Sequence, residues 1–318
     1  MNRRWSRRDF IAAGALGGMA GWWASSKAAT LLAQSSLAFD RTKVIVARDE
    51  KCINGRNECD PVLVKRAFDR SLLALTGRQD ARAAWTSLGL AAADVVAVKM
   101  NCCTWTIPLA PHKELVRALC DSLGTVIPQN NIILYDRSNE QLDEGGFAIN
   151  QSKSGVRCFG NDQGGGYDEQ ERLTRIVTNT CTKLINLASL KCVEWHFGGS
   201  IFMKNHIGTL MSEDMPKCHG NPDFLAEVSS RPSIRKKTIL QLCDGLRGSY
   251  QRGVPWYWAG IIMGRDPVAS ECVAMDVINE KRIAEKVPAI EMPAHLLIAA
   301  GKYRIGTCNA HLIERVRV

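Results

Sequence analysis

Several short motifs that mark common enzyme classes are missing from the 318-residue chain. It has no Cys-x-x-Cys pair, no ferredoxin-type iron–sulfur motif, no His-Glu-x-x-His and no P-loop. It also has no Gly-x-Gly-x-x-Gly after a predicted strand and no Gly-x-Ser-x-Gly nucleophile elbow. These absences remove the main sequence support for iron–sulfur, zinc-protease, nucleotide-binding and serine-hydrolase functions.

A strong excess of one charge is missing as well, once the N-terminus is set aside. The whole chain carries 41 Lys and Arg against 32 Asp and Glu. Without residues 1–35 it has 36 basic and 31 acidic residues, a net charge of +5 with no long basic run. Nucleic acid is therefore not expected as a partner. With 46% apolar residues, the chain has the composition of a folded protein with a sizeable core.

Residues 1–35 have the pattern of an export signal, with arginines first, a glycine-diluted apolar run next and small polar residues last. The segment Ser6–Ile11, with paired Arg7 and Arg8, resembles the twin-arginine signal of bacterial exported proteins. An ordinary secretory signal is the alternative. The apolar run Phe10–Ala24 is too short for a stable transmembrane anchor. We expect the twin-arginine translocase as a partner during export, and a periplasmic or otherwise extracytoplasmic location.

The mature part, residues 36–318, alternates apolar runs with segments of helical period, which predicts an α/β fold with a mixed or mostly parallel sheet covered by helices. The stretch 155–171 is glycine-rich and is the expected position of any internal seam in this single domain. The predicted strands are Lys43–Ala47, Asp94–Met100, Asn131–Tyr135, Lys183–Leu187, Lys237–Leu242 and Ala259–Met263. The predicted helices are Pro61–Leu75, His112–Leu123, Pro267–Lys286 and Pro293–Ala300.

All 12 cysteines lie after residue 51. In an oxidising compartment, Cys52 and Cys59 are the best candidates for a disulfide, because the six residues between them allow a turn. Adjacent Cys102 and Cys103 are interpreted as structural, with metal binding as an alternative. Thiol redox chemistry, at Cys102 and Cys103 or at Cys192 and Cys218, is a further alternative. Cys120, Cys243 and Cys272 fall in apolar patterns and are expected in the core.

Three of the six histidines, His196, His206 and His219, occur within 24 residues. Imidazole is the commonest side-chain metal ligand and the readiest acid/base near pH 7. The spacing of the three histidines matches no standard zinc pattern, so a metal site requires the fold to bring them together. Satisfied core or surface histidines are the alternative.

An ordered set of segments resembles the domain of unknown function 362 family between about residues 94 and 285. The matching segments are Val98–Asn101, Pro111–His112, Leu184–Leu187, Lys191, Phe197–Gly208, His219, Ile239–Leu246, Gly253–Pro255, Asp266–Ala269, Asp276 and Arg282. The resemblance implies a fold and a site but no reaction, since the family has no single established activity. Two features depart from it: Val193 stands where members often have histidine, and the ferredoxin-type segment of some members is missing.

The matched polar residues are expected next to strand ends, where α/β folds place binding crevices. His206, Lys204 and Asp244 are the predicted catalytic residues, and His206, His219 and His196 the predicted metal ligands. Asn101, His112, Lys191 and Asn205 are the predicted ligand-binding residues. Lys99, like Lys191, is expected to attract an anion. Asp266 precedes Pro267 and is expected to cap a helix rather than act chemically.

We therefore expect an exported protein that binds a divalent metal ion or an anionic small molecule in a crevice of His, Lys, Asn and Asp residues, with an enzymatic role left open. The alternative is a non-catalytic periplasmic binding or assembly factor. The arrangement of the residues separates the two, because ligand-binding residues converge in a concave site whereas partner-binding residues spread over an exposed patch.

Overall fold

The computed structural model describes residues 41–104, 109–193 and 198–318. The predicted signal segment 1–35 lies outside these residues, as does His196. No helix in the described ranges is both long and apolar enough to cross a bilayer.

An eight-stranded sheet forms the centre of the molecule, in the order β12-β1-β11-β8-β5-β2-β3-β4. Seven of its strands run in one direction, and only β11 is antiparallel to its neighbours β1 and β8. Two short hairpins, β6–β7 and β9–β10, stand apart. The strands are β1 Thr42–Arg48, β2 Val96–Lys99, β3 Ile132–Tyr135, β4 Arg157–Cys158, β5 Lys183–Ser189, β6 Cys192–Val193, β7 Gly198–Gly199, β8 Thr238–Gly245, β9 Gly248–Gln251, β10 Val254–Trp256, β11 Gly260–Gly264 and β12 Ile313–Arg317.

Helices cover both faces of the sheet, so the predicted α/β class is confirmed. The α-helices are α1 Pro61–Thr76, α2 Ala81–Ser87, α3 Lys113–Leu123, α4 Asn139–Glu144, α5 Phe202–Asn205, α6 Pro222–Ser230, α7 Pro232–Lys237, α8 Pro267–Ala284 and α9 Ala294–Ile298. Short 3₁₀ turns lie at Glu50–Cys52, Gln129–Asn131, Asn161–Gln163, His206–Thr209 and Met215–His219, and π-turns at Ile176–Thr180 and Ala299–Tyr303.

Local sequence signals explain where the main helices begin. Asp60 accepts backbone N–H bonds from Val62 and Leu63 at the start of α1, and Asp266 accepts one from Ala269 at the start of α8. Each such cap stabilises its helix by about 1 kcal/mol. The predicted capping role of Asp266 is thus confirmed.

The core has a layer on each face of the sheet. On one face, α1, α2 and α3 bury Phe68, Trp85 and Leu119 against the strands. On the other face, α5 to α9 bury residues such as Met203 and Val268. Burying each large apolar side chain contributes about 1.5–3 kcal/mol relative to exposure. Cys120, Cys243 and Cys272 lie in these layers, as predicted.

The chain turns back between Cys52 and Cys59, but the predicted disulfide is not formed. All 12 cysteines are free thiols. The backbone pairs Cys59 with Ile53, so Cys59 is not the direct cross-strand partner of Cys52. Burial raises the pKa of Cys52 to about 11, with smaller contributions from Asp49 and Asp60.

The order of the strands creates one reversal of direction in the sheet. From β2 the chain moves outward to β3 and β4, and then returns to place β5 on the other side of β2. In open α/β sheets, ligands bind in the crevice outside the carboxyl ends of the strands at such a reversal. The residues that follow β2 and β5 are therefore the first candidates for a ligand-binding site.

Candidate functional site

Polar side chains from four neighbouring parallel strands meet at this end of the sheet, which we call the carboxyl edge. Asn101 follows β2, Asp136 follows β3, Lys191 follows β5, and Asp244 is the penultimate residue of β8. All four are at least nine-tenths buried. A buried polar group needs a partner, so their contacts define what the edge can do.

Lys99 and Asp136 form a buried ion pair at the reversal point, with Nζ and Oδ1 2.5 Å apart. Asp136 also accepts backbone N–H bonds from Cys102 and Arg137, while Lys99 donates to the Met100 carbonyl. Gly208 lies against this pair, since a Cβ there would come within 2.7 Å of Asp136 Oδ1. The charge of Lys99 is therefore neutralised internally, and the structure gives no support to the predicted anion-binding role of Lys99.

Lys191 and Asn101 form a second buried pair across β2 and β5. The Lys191 Nζ donates to Asn101 Oδ1 at 2.6 Å and to the Cys103 carbonyl at 3.0 Å. Both acceptors are neutral, so the positive charge of Lys191 has no anionic partner in these bonds. Burial lowers the pKa of Lys191 to about 8, although the nearby Cys103 and Cys102 raise it in part.

His112 is held by Asp244 where α3 begins. Asp244 Oδ2 accepts both the backbone N–H of His112 at 2.6 Å and its ring Nδ1 at 2.9 Å, and Asp244 Oδ1 accepts from the Leu246 backbone. The other ring nitrogen, Nε2, lies 3.2 Å from Asn57 Oδ1. Burial lowers the pKa of His112, but the charge of Asp244 and its hydrogen bond outweigh burial, so the net pKa is raised.

Lys204 differs from the other lysines at this edge. It lies on α5 and is 7% exposed, and its ammonium makes no hydrogen bond or ion pair within the part of the chain that the structure describes. Burial lowers its pKa to about 8, opposed by the more distant Cys218, Glu271 and Cys103. Cys103 raises the pKa of both Lys204 and Lys191, and the Cys103 carbonyl accepts a hydrogen bond from Lys191.

Asn205 lies beneath the strands rather than in a crevice. Its Nδ2 donates to Asn186 Oδ1 at 2.7 Å and to the Leu187 carbonyl at 3.1 Å, and its Oδ1 accepts from Lys99. These bonds tie α5 to β2 and β5. Asn205 therefore positions Lys204, its neighbour in the chain.

His206 and His219 lie in different environments. His206 is 2% exposed, and its Nδ1 has no hydrogen-bond partner among the described residues. It lines a cavity that opens at the opposite end of the sheet. Burial, with the charge of Lys99, lowers the pKa of His206 to about 3, so its ring is neutral. The side chain of His219 is largely exposed. Its partial burial, together with the charge of Lys204, lowers its pKa.

The predicted set of three histidine ligands is not tested as a whole, because His196 lies outside the described residues. Within those residues, no group of three or more His, Cys, Asp or Glu side chains is placed to hold one metal ion. Thiol redox chemistry also lacks a favourable setting at Cys102 and Cys218. Burial raises the pKa of both thiols, to about 12 for Cys218.

Two acidic residues of structural importance were not among the predicted site residues. Asp136 directly follows β3, as Asn101 follows β2, so the same position rule would have found it. Glu271 is fully buried on α8, contacts His295 Nε2 at 2.9 Å, and accepts the Met203 backbone N–H at the start of α5. A glutamate within an apolar helical stretch was the available signal for Glu271.

Comparison with known proteins gives no relative, since no family model, curated protein or solved structure matches the chain. The resemblance to the domain of unknown function 362 family stays a prediction. The function must therefore be argued from the geometry of the site.

Proposed function

We propose that this chain is an exported protein that binds a small anionic molecule at the carboxyl edge of its sheet, and that His112 transfers a proton to or from the bound molecule. The observation that carries the proposal is Lys204, which is 7% exposed and whose ammonium has no partner among the described residues. Its neighbour Asn205 donates to the carbonyl of Lys99, the last residue of β2, at the end of the sheet where the strand order reverses. A buried charge without a partner lowers stability, and such a group is typical of a functional site.

The two lysines supply the attraction for an anion. Lys204 has no acceptor of its own among the described residues, and Lys191 is hydrogen-bonded only to neutral oxygens. A carboxylate or phosphate group placed between them would give both ammonium groups a charged hydrogen-bond acceptor. Asn101, which already accepts from Lys191, has an amide nitrogen left to donate to the same molecule.

His112 has the geometry of a general acid or base. Asp244 bonds to Nδ1 and fixes the ring, which leaves Nε2 as the atom that exchanges a proton. The bond from Nε2 to Asn57 Oδ1 is long, at 3.2 Å, and leads to an exposed residue. In this proposal Asp244 is a positioning residue, His112 replaces His206 as the acid/base group, and Lys204 is the anion anchor.

Titration with sulfate tests anion binding, since sulfate keeps its charge through neutral and mildly basic pH. Because the pKa of Lys204 is about 8, the charged fraction of Lys204 falls about tenfold between about pH 7 and about pH 9. We expect the sulfate affinity measured by calorimetry to fall accordingly. Among the described residues, the titratable groups that act on Lys204 or feel its charge are Cys218, Glu271, Cys103 and His219.

A matched pair of variants measures the share of this pH dependence that Lys204 carries, because the pKa of Lys191 is also about 8. Lys204→Met should reduce the pH dependence of sulfate binding to the part that Lys191 contributes, whereas Lys153→Met, a change at an exposed lysine in a loop, should leave it intact. Equal pH dependence in wild type and Lys204→Met would contradict the proposal. Elemental analysis of the same wild-type preparation tests the metal-ion prediction directly.

Export is supported by the sequence alone, through the segment Ser6–Ile11. Replacing Arg7 and Arg8 with lysine keeps the charge but removes the paired arginines. We expect the double variant to accumulate in the cytoplasmic fraction of a host with a working twin-arginine translocase. Unchanged export of the variant would favour an ordinary secretory signal.

A further inference from the structure

A cavity of about 500 Å³ lies at the end of the sheet opposite the carboxyl edge. Its walls come from the starts of β1 and β8, from α5 and α7, from the loop before α8, and from the loop that follows the π-turn Ala299–Tyr303. Cavities of roughly 300–1,000 Å³ hold small organic ligands in proteins. None of the residues proposed above to contact the anion or exchange its proton lines this cavity.

The charged residues of this cavity are almost all of one sign. Five cationic residues line it against one acid: Arg41, Lys43, Arg235, Arg265, Arg304 and Asp266. Such a distribution attracts anions and raises their local concentration.

The one acid does not neutralise these cations through direct contact. Asp266 Oδ1 accepts the Ala269 backbone N–H and Oδ2 accepts that of Thr307, both at 2.9 Å. Burial raises the pKa of Asp266 to about 6, against the lowering effect of these backbone bonds. The carboxylate is therefore committed to the start of α8 and to the loop after Arg304.

Three of the arginines are available to a ligand: Arg41, which is exposed and unbonded among the described residues, and the pair Arg265 and Arg304. Arg235 donates to the Tyr303 and Arg304 carbonyls, and Lys43 makes a long bond of 3.4 Å to the Ala74 carbonyl. The side chains of Arg265 and Arg304 are exposed and make no hydrogen bond or ion pair to any residue that the structure describes. Their guanidinium groups could each bind a carboxylate or phosphate in a bidentate manner.

The inner wall of the cavity is polar and incompletely bonded. His206 is almost fully buried there, and its Nδ1 meets no hydrogen-bond partner in the ranges that the structure describes. Beside it, Gln241 accepts from Asn186 at 2.9 Å through Oε1, while its Nε2 makes no bond within the described ranges. A buried polar atom without a partner loses the free energy of a hydrogen bond, which a ligand could restore.

We propose that this cavity binds a small organic anion, with its carboxylate or phosphate groups at Arg265 and Arg304 and a neutral polar group at His206 and Gln241. This second site does not depend on the function proposed for the carboxyl edge. The basic opening supplies charge, and the polar inner wall supplies the hydrogen bonds that distinguish one anion from another.

Calorimetric titration with citrate at about pH 8 tests the proposal, because citrate is small, organic and fully ionised there. We expect the double variant R265Q/R304Q to bind citrate at least about tenfold more weakly than wild type, through loss of two charge-assisted contacts. The matched control is R66Q/R70Q, which removes the same charge from the exposed side of α1 and should bind as wild type does.

Two further measurements locate the binding. Lys204→Met should retain citrate binding, which separates a failure of this site from a failure at the carboxyl edge. In a wild-type sample, the imidazole NMR signals of His206 should shift when citrate is added. Equal affinity in both arginine variants, absence of citrate binding by wild type, or binding without a shift at His206 would each overturn the proposal.

Discussion

The cationic side chains at the two ends of the sheet lie in opposite kinds of environment. At the carboxyl edge, lysines are buried and placed one by one: Lys99 faces a carboxylate, Lys191 faces neutral oxygens, and Lys204 faces no acceptor among the described residues. At the amino end, the cations lie around one opening and share a single acid that is bound elsewhere. At the carboxyl edge, burial strengthens each electrostatic interaction, so the partner of each lysine determines its role. At the amino end, the combined positive charge of several residues determines the attraction for an anion.

The comparison teaches that a cation's environment, rather than its presence, indicates its role. A buried ammonium with an anionic partner is part of the scaffold, and a buried ammonium without one lowers stability until an anionic ligand binds. An exposed arginine carries little folding free energy in either case. The two ends should therefore respond differently to the removal of charge.

Lys99→Met should produce the largest loss of stability, because it leaves Asp136 buried without its ionic partner. We expect the free energy of unfolding to fall by about 3–5 kcal/mol in urea denaturation. The control Lys65→Met breaks the exposed pair with Asp69, where the side chains are 50% and 35% exposed, and should cost less than about 1 kcal/mol. Similar losses in both variants would mean that the Lys99–Asp136 pair is not effectively buried.

Asp244→Asn should destabilise the protein by about 2–3 kcal/mol, since Asp244 accepts three hydrogen bonds as a buried carboxylate. It should also lower the pKa of His112, measured from its imidazole NMR signals, because the charge that favours the protonated ring is gone. In wild type, the stability that His112 contributes is present below about pH 6.5 and is lost as pH rises through its raised pKa. Asp60→Asn, which preserves an exposed helix cap, is the control and should change neither quantity.

Lys204→Met should stabilise the protein by about 1–3 kcal/mol near pH 7, in contrast to Lys99→Met. The pKa of Lys204 is about 8 in the folded state, below its unfolded value, so the unfolded state binds more protons between the two values. Wild-type stability should therefore rise with pH in that window, and the advantage of the variant should disappear by about pH 10. A destabilised Lys204→Met protein at pH 7 would indicate that the ammonium has a stabilising partner.

The smallest effect on stability is expected at the amino end. The double variant R265Q/R304Q should change the free energy of unfolding by less than about 0.5 kcal/mol in the absence of ligand, because both side chains are exposed and unbonded among described residues. Thermal unfolding with and without citrate completes the comparison, since wild type should gain more stability from citrate than the double variant does. A large loss without citrate would assign the two arginines to the scaffold.

Much of the fold could be predicted because its signals are local. All six predicted strands are present, and the predicted helices at Pro61, His112 and Pro267 begin within one residue of their expected positions. Strand β12 was not predicted, since Ile313–Arg317 alternates with charged residues and acquires its place only by pairing with β1. The antiparallel direction of β11 likewise could not be predicted from the sequence, because strand direction depends on long-range pairing.

The site could be predicted only in part. The rule that polar residues follow strand ends correctly brought Asn101, Lys191 and Asp244 to one edge. The rule did not distinguish these residues from Lys99, which is neutralised by Asp136, or from His206, which lines the cavity at the opposite end. Those distinctions depend on which side of the sheet α5 packs against and on partners distant in sequence. No local sequence pattern indicates the packing side of α5 or these distant partners.

The free cysteines make the order of folding and oxidation important. Nine of the 12 thiols are buried in the folded protein, and burial raises the pKa of several of them, so few are present as the reactive thiolate. An unfolded chain would instead present all 12 to an oxidant, with many wrong pairings open to it. A chain of this kind benefits from completing its fold in a reducing compartment before it meets an oxidising one, and a translocase that carries folded proteins would allow that sequence of events.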